Sequence, residues 1–400
     1  MLQSSISWID FSEQDRRKMI EVVALFKQRD TRDELGLGSI RDTLSGLFFP
    51  GTSTLQTRAR YFLFIPWLYR DYERRKIPSA QIARQLRRDE VKLINALQAA
   101  GESDGVIGKV SGASLHRFPS SIYWNGLRRW EILRYSGSQS QYHRWLDHSY
   151  KRRPERTDDG EPVTGWAGGN WNIDRLKPPD AFPEQADFRL TSCEADYLRE
   201  RLLLSCHDSL LATLVDRCES VEDVDFIWAH PQLSAFSEEQ RAWIDHAHRF
   251  SEAMYGAALL YNLMLSELGQ IDELSEGYCE ILGSWQEDLA GSWAAFQSWD
   301  RAAFWRLVKG TGRIPLPTQH FVNQWLDVLL AGTEPPHLPE HAVARALVRD
   351  REVWLKRGRS RFESRRHLEM WSGAAGAFRL DYRWSVARRI TNDIIHGFRE

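Results

Sequence analysis

Residues 237–268 read SEEQRAWIDHAHRFSEAMYGAALLYNLMLSEL, and this stretch carries the strongest structural signal in the chain. Its apolar side chains recur at the spacing of an α-helix, which predicts one long helix over Ser237–Leu268. Helical patterns continue on both sides of this stretch, and no set of alternating strand patterns stands out. The sequence therefore predicts a mainly α, multi-helical protein with two or three packed helical domains.

The flanking helices are predicted from periodicity and from capping and breaking residues. Ser12 caps a first helix, with Asp15 three residues on. A second helix over Thr54–Lys76 is predicted to kink before Pro66. A short β-branched run in Val106–Phe118 adds at most a small hairpin. The remaining predicted helices are Ser39–Phe49, Ala80–Ala100, Ser120–Tyr135, Gln139–Tyr150, Ser192–Leu214, Ser275–Ser298, Glu340–Arg357 and Tyr382–Ile395.

Charge is distributed unevenly along the 400 residues. Residues 1–150 hold 23 Lys and Arg against 16 Asp and Glu, residues 151–300 hold 12 against 29, and residues 301–400 hold 18 against 10. Basic ends around an acidic middle suit contact with a polyanion, but the segments can equally neutralise one another. We predict a basic, aromatic-rich helical domain over 1–150, a linker or long loop over 151–190, an acidic helical domain over 191–335 and a basic C-terminal segment over 336–400.

Composition also bears on where the protein acts. No apolar stretch is long enough to span a bilayer, and the N-terminal residues do not have the pattern of a secretory signal. The four cysteines form no CxxC pair, which is typical of reduced thiols. The sequence predicts a cytoplasmic protein without a membrane partner.

Two segments interleave arginines with aromatic residues: TRARYFLFIPWLYRDYERR at 57–75 and SSIYWNGLRRWEILRYSGSQSQYHRW at 120–145. Guanidinium groups bind phosphates and flat rings stack on unpaired bases, so this mixture suits nucleic acid. A helix that begins at Ser120-Ser121 would also offer free N–H groups to a phosphate. The alternative is a helical aromatic core with arginines outside it. The predicted DNA- or RNA-binding residues are Arg58, Arg60, Ser120, Ser121, Tyr123, Trp124, Arg128, Arg129 and Arg134, with Asn125, Ser136 and Ser138 as additional polar donors.

A third basic run, ARALVRDREVWLKRGRSRFESRR, occupies 344–366. A helix end followed by a basic loop is a plausible contact for a phosphate backbone. We predict Arg357, Arg359 and Arg361 as nucleic-acid-binding residues. The alternative is a solvated basic face that pairs with the acidic middle.

Signals for catalysis are sparse. Glu90-Val91-Lys92 matches half of a metal-dependent nuclease core, but it lies in a helical pattern. Arg389 and His396 have a spacing known from helical ribonucleases, at a frequency expected by chance. His246 and His248 point to different sides of a helix, so they do not form a metal pair. Phosphate-binding glycine loops are absent. No cofactor, no metal site and no catalytic residue is predicted.

Four strings resemble one bacterial family: SWIDFS at 7–12, TRDELG at 31–36, FPGTSTLQTRARYF at 49–62 and PSSIYW at 119–124. The resembled family is an uncharacterised one from phage-defence islands, and the match is dense over residues 6–150. Its gene neighbours look like helicases and phospholipase-D-type nucleases, similar to multi-gene antiviral systems of the Azaca kind. The resemblance implies a defence setting and supplies no catalytic residue.

Two functions follow as hypotheses. The first is a non-catalytic subunit of an antiviral system that binds nucleic acid or a partner and works with a helicase and a nuclease. The second is a nuclease effector with a dispersed active site. A scaffold, with the acidic middle as a docking site, is a third option.

Overall fold

A computed structural model describes residues 33–151 and 170–399 of the chain. These ranges form fifteen α-helices and no β-strand, which confirms the mainly α, multi-helical prediction. The first predicted helix, which follows Ser12, lies outside the described residues, as does the string at 7–12. The helices are α1 Gly38–Phe48, α2 Tyr61–Arg74, α3 Ser79–Ala99, α4 Pro119–Arg129, α5 Gln139–Lys151, α6 Ser192–Ser205, α7 Leu210–Arg217, α8 Glu238–Leu268, α9 Asp272–Gly291, α10 Trp293–Gln297, α11 Arg301–Thr311, α12 Leu316–Leu329, α13 Ala342–Lys356, α14 Arg365–Glu369 and α15 Trp384–Gly397.

Two helix predictions are wrong, and the small hairpin that the sequence allows in 106–118 does not form. Residues 106–118 form turns and a short 3-10 helix at Gly112–Ser114, because Gly105 and Gly108 adopt φ angles of +83° and +87° that no strand contains. The stretch 192–214 is two helices, because the Ser209 hydroxyl accepts the Ala212 N–H at 3.2 Å and starts α7. The helix from Ser120 ends at Arg129, and two residues later Glu131 reverses the chain with φ +54°.

Helix α2 also begins later than predicted, at Tyr61 rather than Thr54. The N–H groups of Thr57 and Arg58 donate to the Tyr123 hydroxyl at 2.8 and 3.1 Å, so they are used in tertiary contacts and not in a helix. Pro66 lies inside α2. The missing N–H of a proline leaves one helical carbonyl without its usual donor.

The described chain divides into two compact units. Within the described residues, the first unit comprises 33–44 and 242–380, and the second comprises 45–151, 170–241 and 381–399. The domain boundaries predicted at 150, 190 and 335 stay a prediction. Among the described helices, none combines the length and the apolar character that a membrane-spanning segment requires.

The core of the second unit is built around α2. Ten of its fourteen residues are buried, including every residue from Tyr61 to Tyr69. Phe62 stacks on Trp130 with ring centroids 3.8 Å apart, and Tyr69 stacks on Trp171 at 5.2 Å. Close aromatic pairs contribute about 0.5–1.5 kcal/mol each beyond the area they bury. The aromatic residues of segment 57–75 are therefore mostly core residues.

The first unit is organised by the part of α8 that follows residue 242. The side chain of Asn262 is fully buried, and its Oδ1 accepts N–H groups from Trp371 and Ala375 at 3.1 and 2.7 Å. Its Nδ2 donates to the Ala375 carbonyl at 2.9 Å, so one amide ties residues 371–375 to α8. The Trp325 indole of α12 donates to the Ala253 carbonyl at 2.8 Å.

A very close backbone approach joins the turn at Pro50-Gly51 to α4 in the second unit. A Cβ on Gly126 would lie 2.5 Å from the Gly51 carbonyl oxygen and 2.8 Å from the Phe62 ring. Gly51 itself has φ +83°, and the Trp130 indole donates to the Pro50 carbonyl at 2.8 Å. No side chain fits at Gly126 unless the backbone moves.

We expect Gly126→Ala to lower the free energy of unfolding by about 1–3 kcal/mol, because the added methyl group overpacks this contact. The matched control is Gly283→Ala in α9, where no atom lies within 4 Å of the added Cβ. Because alanine restricts the unfolded chain, the control should gain about 0.4–1 kcal/mol. Urea denaturation followed by circular dichroism measures both, and equal shifts of the two variants would contradict the interpretation.

Candidate nucleic-acid interface

The arginines predicted to bind phosphate at the start of α2 are paired with carboxylates. Arg58 donates to both carboxylate oxygens of Asp393 at 3.0 Å and lies over the Phe188 ring. Arg60 is buried and contacts Asp187 at 2.6 Å and Glu194 at 3.0 Å. We therefore remove Arg58 and Arg60 from the residues that face a ligand, since buried arginines need these partners to offset their desolvation.

The N-terminus of α4 is likewise occupied. Ser120 is buried, and its N–H and hydroxyl donate to the Glu90 carboxylate at 2.7 and 3.1 Å. The Tyr123 hydroxyl donates to the Arg58 carbonyl at 2.9 Å, and the Trp124 indole donates to the Gly137 carbonyl at 3.0 Å. Ser120, Tyr123 and Trp124 are thus core residues, which corrects their assignment to the interface. Ser121 is exposed.

The other end of α4 opens into a cleft. The cleft has a volume of about 490 Å³ and is an open surface feature. Three of the predicted arginines converge there from two sides of the turn at Glu131. The lining residues are Asn125, Arg128, Arg129, Glu131, Leu133, Arg134, Tyr135, Ser136 and Asn172; we call this set the arginine cleft.

A short backbone pairing holds the floor of the arginine cleft in place. The Arg134 N–H donates to the Asn170 carbonyl at 2.8 Å, and the Asn172 N–H donates to the Ile132 carbonyl at 2.7 Å. Leu133 and Trp171 form an isolated antiparallel bridge between these bonds. The turn of positive φ at Glu131 therefore places Arg134 next to the last turn of α4, where Arg128 and Arg129 lie.

The arginines of this cleft differ from Arg58 and Arg60 in their partners. Within the described residues, no carboxylate lies within 4 Å of Arg128, Arg129 or Arg134. Arg129 donates to the Ser205 carbonyl at 3.2 Å, and Arg134 donates to the Asn172 side chain at 3.3 Å. Neutral acceptors leave the positive charges uncompensated, and among the lining residues Glu131 is the acidic one.

The predicted residues of the third basic run are divided between surface and core in the first unit. Arg357 and Arg359 are exposed on a short 3-10 helix at Arg357–Arg359. Arg361 is buried, where it contacts Glu34 at 3.1 Å and donates to the Tyr261 hydroxyl at 3.1 Å. Arg361 is therefore a structural residue, which corrects its assignment.

The catalytic fragments do not assemble into a site. Glu90 is buried against Ser120, whereas Lys92 is exposed and pairs with Glu184 at 3.2 Å and Asp89 at 3.3 Å. Two residues apart on α3, they point in different directions, as helical geometry requires. In the described part of the chain, no group of three or more His, Cys, Asp or Glu side chains is placed to hold a metal ion.

The sequence predicts the arginines of the cleft but not Glu131, Leu133, Tyr135 and Asn172, which also line it. Asn172 lies in the stretch predicted as a linker, and nothing in its neighbourhood marks it as a site residue. Its role depends on the pairing with residues 132–134, which only the tertiary structure supplies. Of the predicted additional polar donors, Asn125 and Ser136 line the cleft, whereas Ser138 does not and instead exchanges hydrogen bonds with Gln141.

One family of known sequences includes this chain. The model of that family, which is described as a family of unknown function (DUF6361), matches residues 3–397. No curated protein and no solved structure matches the chain.

Glu90, whose carboxyl group accepts the hydrogen bonds at the N-terminus of α4, is a weaker acid than an exposed glutamic acid. Burial raises the pKa of Glu90 to about 8, although the hydrogen bonds from Ser120 oppose this shift. Gln139 donates to the Ser120 hydroxyl at 3.0 Å, so the carboxyl belongs to a polar network at the N-terminus of α4. The folded protein therefore favours the neutral form of Glu90 at neutral pH.

The pKa of Glu90 is higher in the folded state than its ordinary value of 4.5, so protonation of this group favours folding. The resulting stabilisation is complete below pH 4.5 and is lost as the pH rises through about 8. We expect the free energy of unfolding of wild type to fall by a few kcal/mol across this range. Glu90→Gln, whose side chain is always neutral, should not show this fall. Thermal denaturation at a series of pH values measures the difference. The control, Glu131→Gln at an exposed carboxylate, should keep the wild-type profile, and parallel profiles for Glu90→Gln and wild type would refute the assignment.

Proposed function

The chain belongs to the family DUF6361, and we propose that it is a non-catalytic nucleic-acid-binding subunit of a bacterial antiviral system. The arginine cleft of the second unit is the observation that supports the binding role. The defence setting is supported by the resemblance of strings such as FPGTSTLQTRARYF at 49–62 to a family of phage-defence islands. In that setting, a helicase and a phospholipase-D-type nuclease are the proposed protein partners.

The chemistry of the cleft suits a phosphate backbone. Three guanidinium groups supply planar pairs of donors that match phosphate oxygens. The amides of Asn125 and Asn172 and the hydroxyl of Ser136 add neutral donors, and Tyr135 adds a half-buried ring. A cleft open to solvent admits a continuous strand, whereas an enclosed cavity would favour a free nucleotide. The ligand class that we propose is single-stranded or distorted DNA or RNA.

The lining of the cleft favours binding over catalysis. It contains no histidine or cysteine, and its acidic residue, Glu131, is exposed. General acid–base chemistry needs a titratable group held in a defined geometry at the substrate. A non-catalytic role is therefore the simpler explanation for this set of residues.

We expect Arg128→Ala, Arg129→Ala and Arg134→Ala each to weaken binding of a labelled oligonucleotide about tenfold. Each should also reduce the slope of log affinity against log salt by about 0.7–0.9, because one phosphate contact is lost. Fluorescence anisotropy between about 50 and 200 mM salt measures both quantities. Arg217→Ala, at an exposed arginine outside the cleft, is the control and should bind like wild type. A wild-type protein that binds no nucleic acid at low salt would disprove the proposal.

The alternative, a nuclease effector, has one feature in its favour. Arg389 and His396 are both exposed on α15, seven residues apart and thus on the same face of the helix. Arg389 lies 3.6 Å from Asp104, and the His396 ring contacts the Ser220 hydroxyl at 3.1 Å. Asn392 between them is turned to the backbone of Val221.

Our proposal predicts that the purified chain leaves labelled DNA and RNA intact in the presence of Mg²⁺ or Mn²⁺. Gel electrophoresis after prolonged incubation measures cleavage, with a known nuclease as the positive control. Cleavage by wild type that disappears in Arg389→Ala or His396→Ala would instead establish the effector function.

A further inference from the structure

The first unit presents an exposed aromatic ring near its basic run. Trp354 lies on α13, and 54% of its surface is exposed. Among the tryptophans that the structure describes, the others are buried or half-buried, so Trp354 stands alone in this respect. A large aromatic ring that stays exposed after folding is available to stack on another molecule.

The ring is supported from below by a buried arginine. The Arg351 guanidinium lies between two rings, 5.2 Å from the centroid of Phe321 and 5.3 Å from the centroid of Trp354. Such cation–π contacts fix the plane of the indole. One face of Trp354 is thus held by the protein, while much of its remaining surface is open to solvent.

This arginine cannot move away to release the ring. Only 6% of Arg351 is exposed, and its guanidinium donates to the Leu35 carbonyl at 2.8 Å, the Pro317 carbonyl at 3.1 Å and the Thr318 hydroxyl at 3.0 Å. These bonds hold the guanidinium, and the Trp354 ring that packs on it has one face in contact with a fixed group in the free protein. Little further conformational entropy of the indole is therefore lost when a flat partner stacks on it.

The charges beside Trp354 indicate the chemistry of that partner. Arg357 and Arg359 are exposed just beyond the C-terminal end of α13, and no carboxylate of the described residues lies within 4 Å of either. On the N-terminal side, Asp350 is exposed one turn before the ring. Arg349, next to Asp350, is exposed as well, so these two opposite charges balance, and the excess positive charge lies toward Arg357 and Arg359. A negatively charged chain that stacks on the ring would therefore extend toward Arg357.

We propose that Trp354 is a stacking platform for an unpaired base, with Arg357 and Arg359 binding the adjacent phosphates of single-stranded nucleic acid. This inference rests on the proposed nucleic-acid-binding function and adds a second contact, in the first unit. Base stacking on a rigid ring beside two arginines is the arrangement by which single strands are bound without sequence preference. A protein partner would have less use for two uncompensated guanidinium groups beside the ring.

The test compares two labelled strands of about 20 nucleotides, oligo(dT) and a strand of the same length that carries abasic spacers. We expect Trp354→Ala to weaken oligo(dT) binding about tenfold, to leave the abasic strand unaffected and to keep the salt dependence of wild type. Trp354→Phe, which preserves an aromatic face, should retain most of the preference for bases. Val343→Ala, at an exposed apolar residue near the other end of α13, is the matched control.

Three outcomes would overturn the inference. If Trp354→Ala binds oligo(dT) like wild type while Arg128→Ala weakens it, the platform is absent and the proposed function stands. If wild type binds neither strand, both are refuted. If Trp354→Ala instead changes the oligomeric state measured by light scattering, the ring is a protein contact. Should Trp354→Ala fail to fold, Trp354→Phe and the comparison of the two strands with wild type decide the question.

Discussion

The burial of helix α2 on almost every side constrains the rest of the second unit. Because α2 has so little solvent-facing surface, the buried Arg60 and the half-buried Arg58 before it pair with carboxylates from distant parts of the chain. The same burial recruits Tyr123, whose hydroxyl takes up the N–H groups before the helix begins. Around the end of α4, by contrast, Arg128, Arg129 and Arg134 have no carboxylate within 4 Å in the part of the chain that the structure describes.

The basic residues of the chain fall into two groups, those in ion pairs within the protein and those without a close carboxylate. Carboxylates within the same unit neutralise Arg58, Arg60 and Arg361. Of these three, Arg60 takes its partners Asp187 and Glu194 from the acidic middle of the chain, whereas Asp393 and Glu34 belong to its basic ends. This neutralisation does not extend to the arginines of the cleft or to those near Trp354, which have no close carboxylate in the part of the chain that the structure describes. Some of the arginines are thus used in ion pairs within the protein, whereas others remain accessible to a ligand.

Helical periodicity was sufficient to predict the fold class and the existence of most helices, because it reports which face of each segment is buried. It could not predict which arginines are accessible. Asp393 lies 335 positions from Arg58, and spacing along the sequence does not show that the two meet. The small hairpin that the sequence allows does not form for a local reason, the positive φ of its glycines. The cleft was predicted in part, through Arg128, Arg129 and Arg134, whereas Asn172 depends on a backbone pairing that composition does not encode.

The neutral carboxyl of Glu90 has a calorimetric consequence. The unfolded chain carries this group as a carboxylate at neutral pH, whereas the folded chain carries it mostly as the acid. Folding therefore takes up a proton, which the buffer must release. The heat of folding then includes the ionisation enthalpy of the buffer, so the same protein would give different enthalpies in phosphate and in Tris. A buried acid beside Ser120 thus couples folding to the proton reservoir around the molecule.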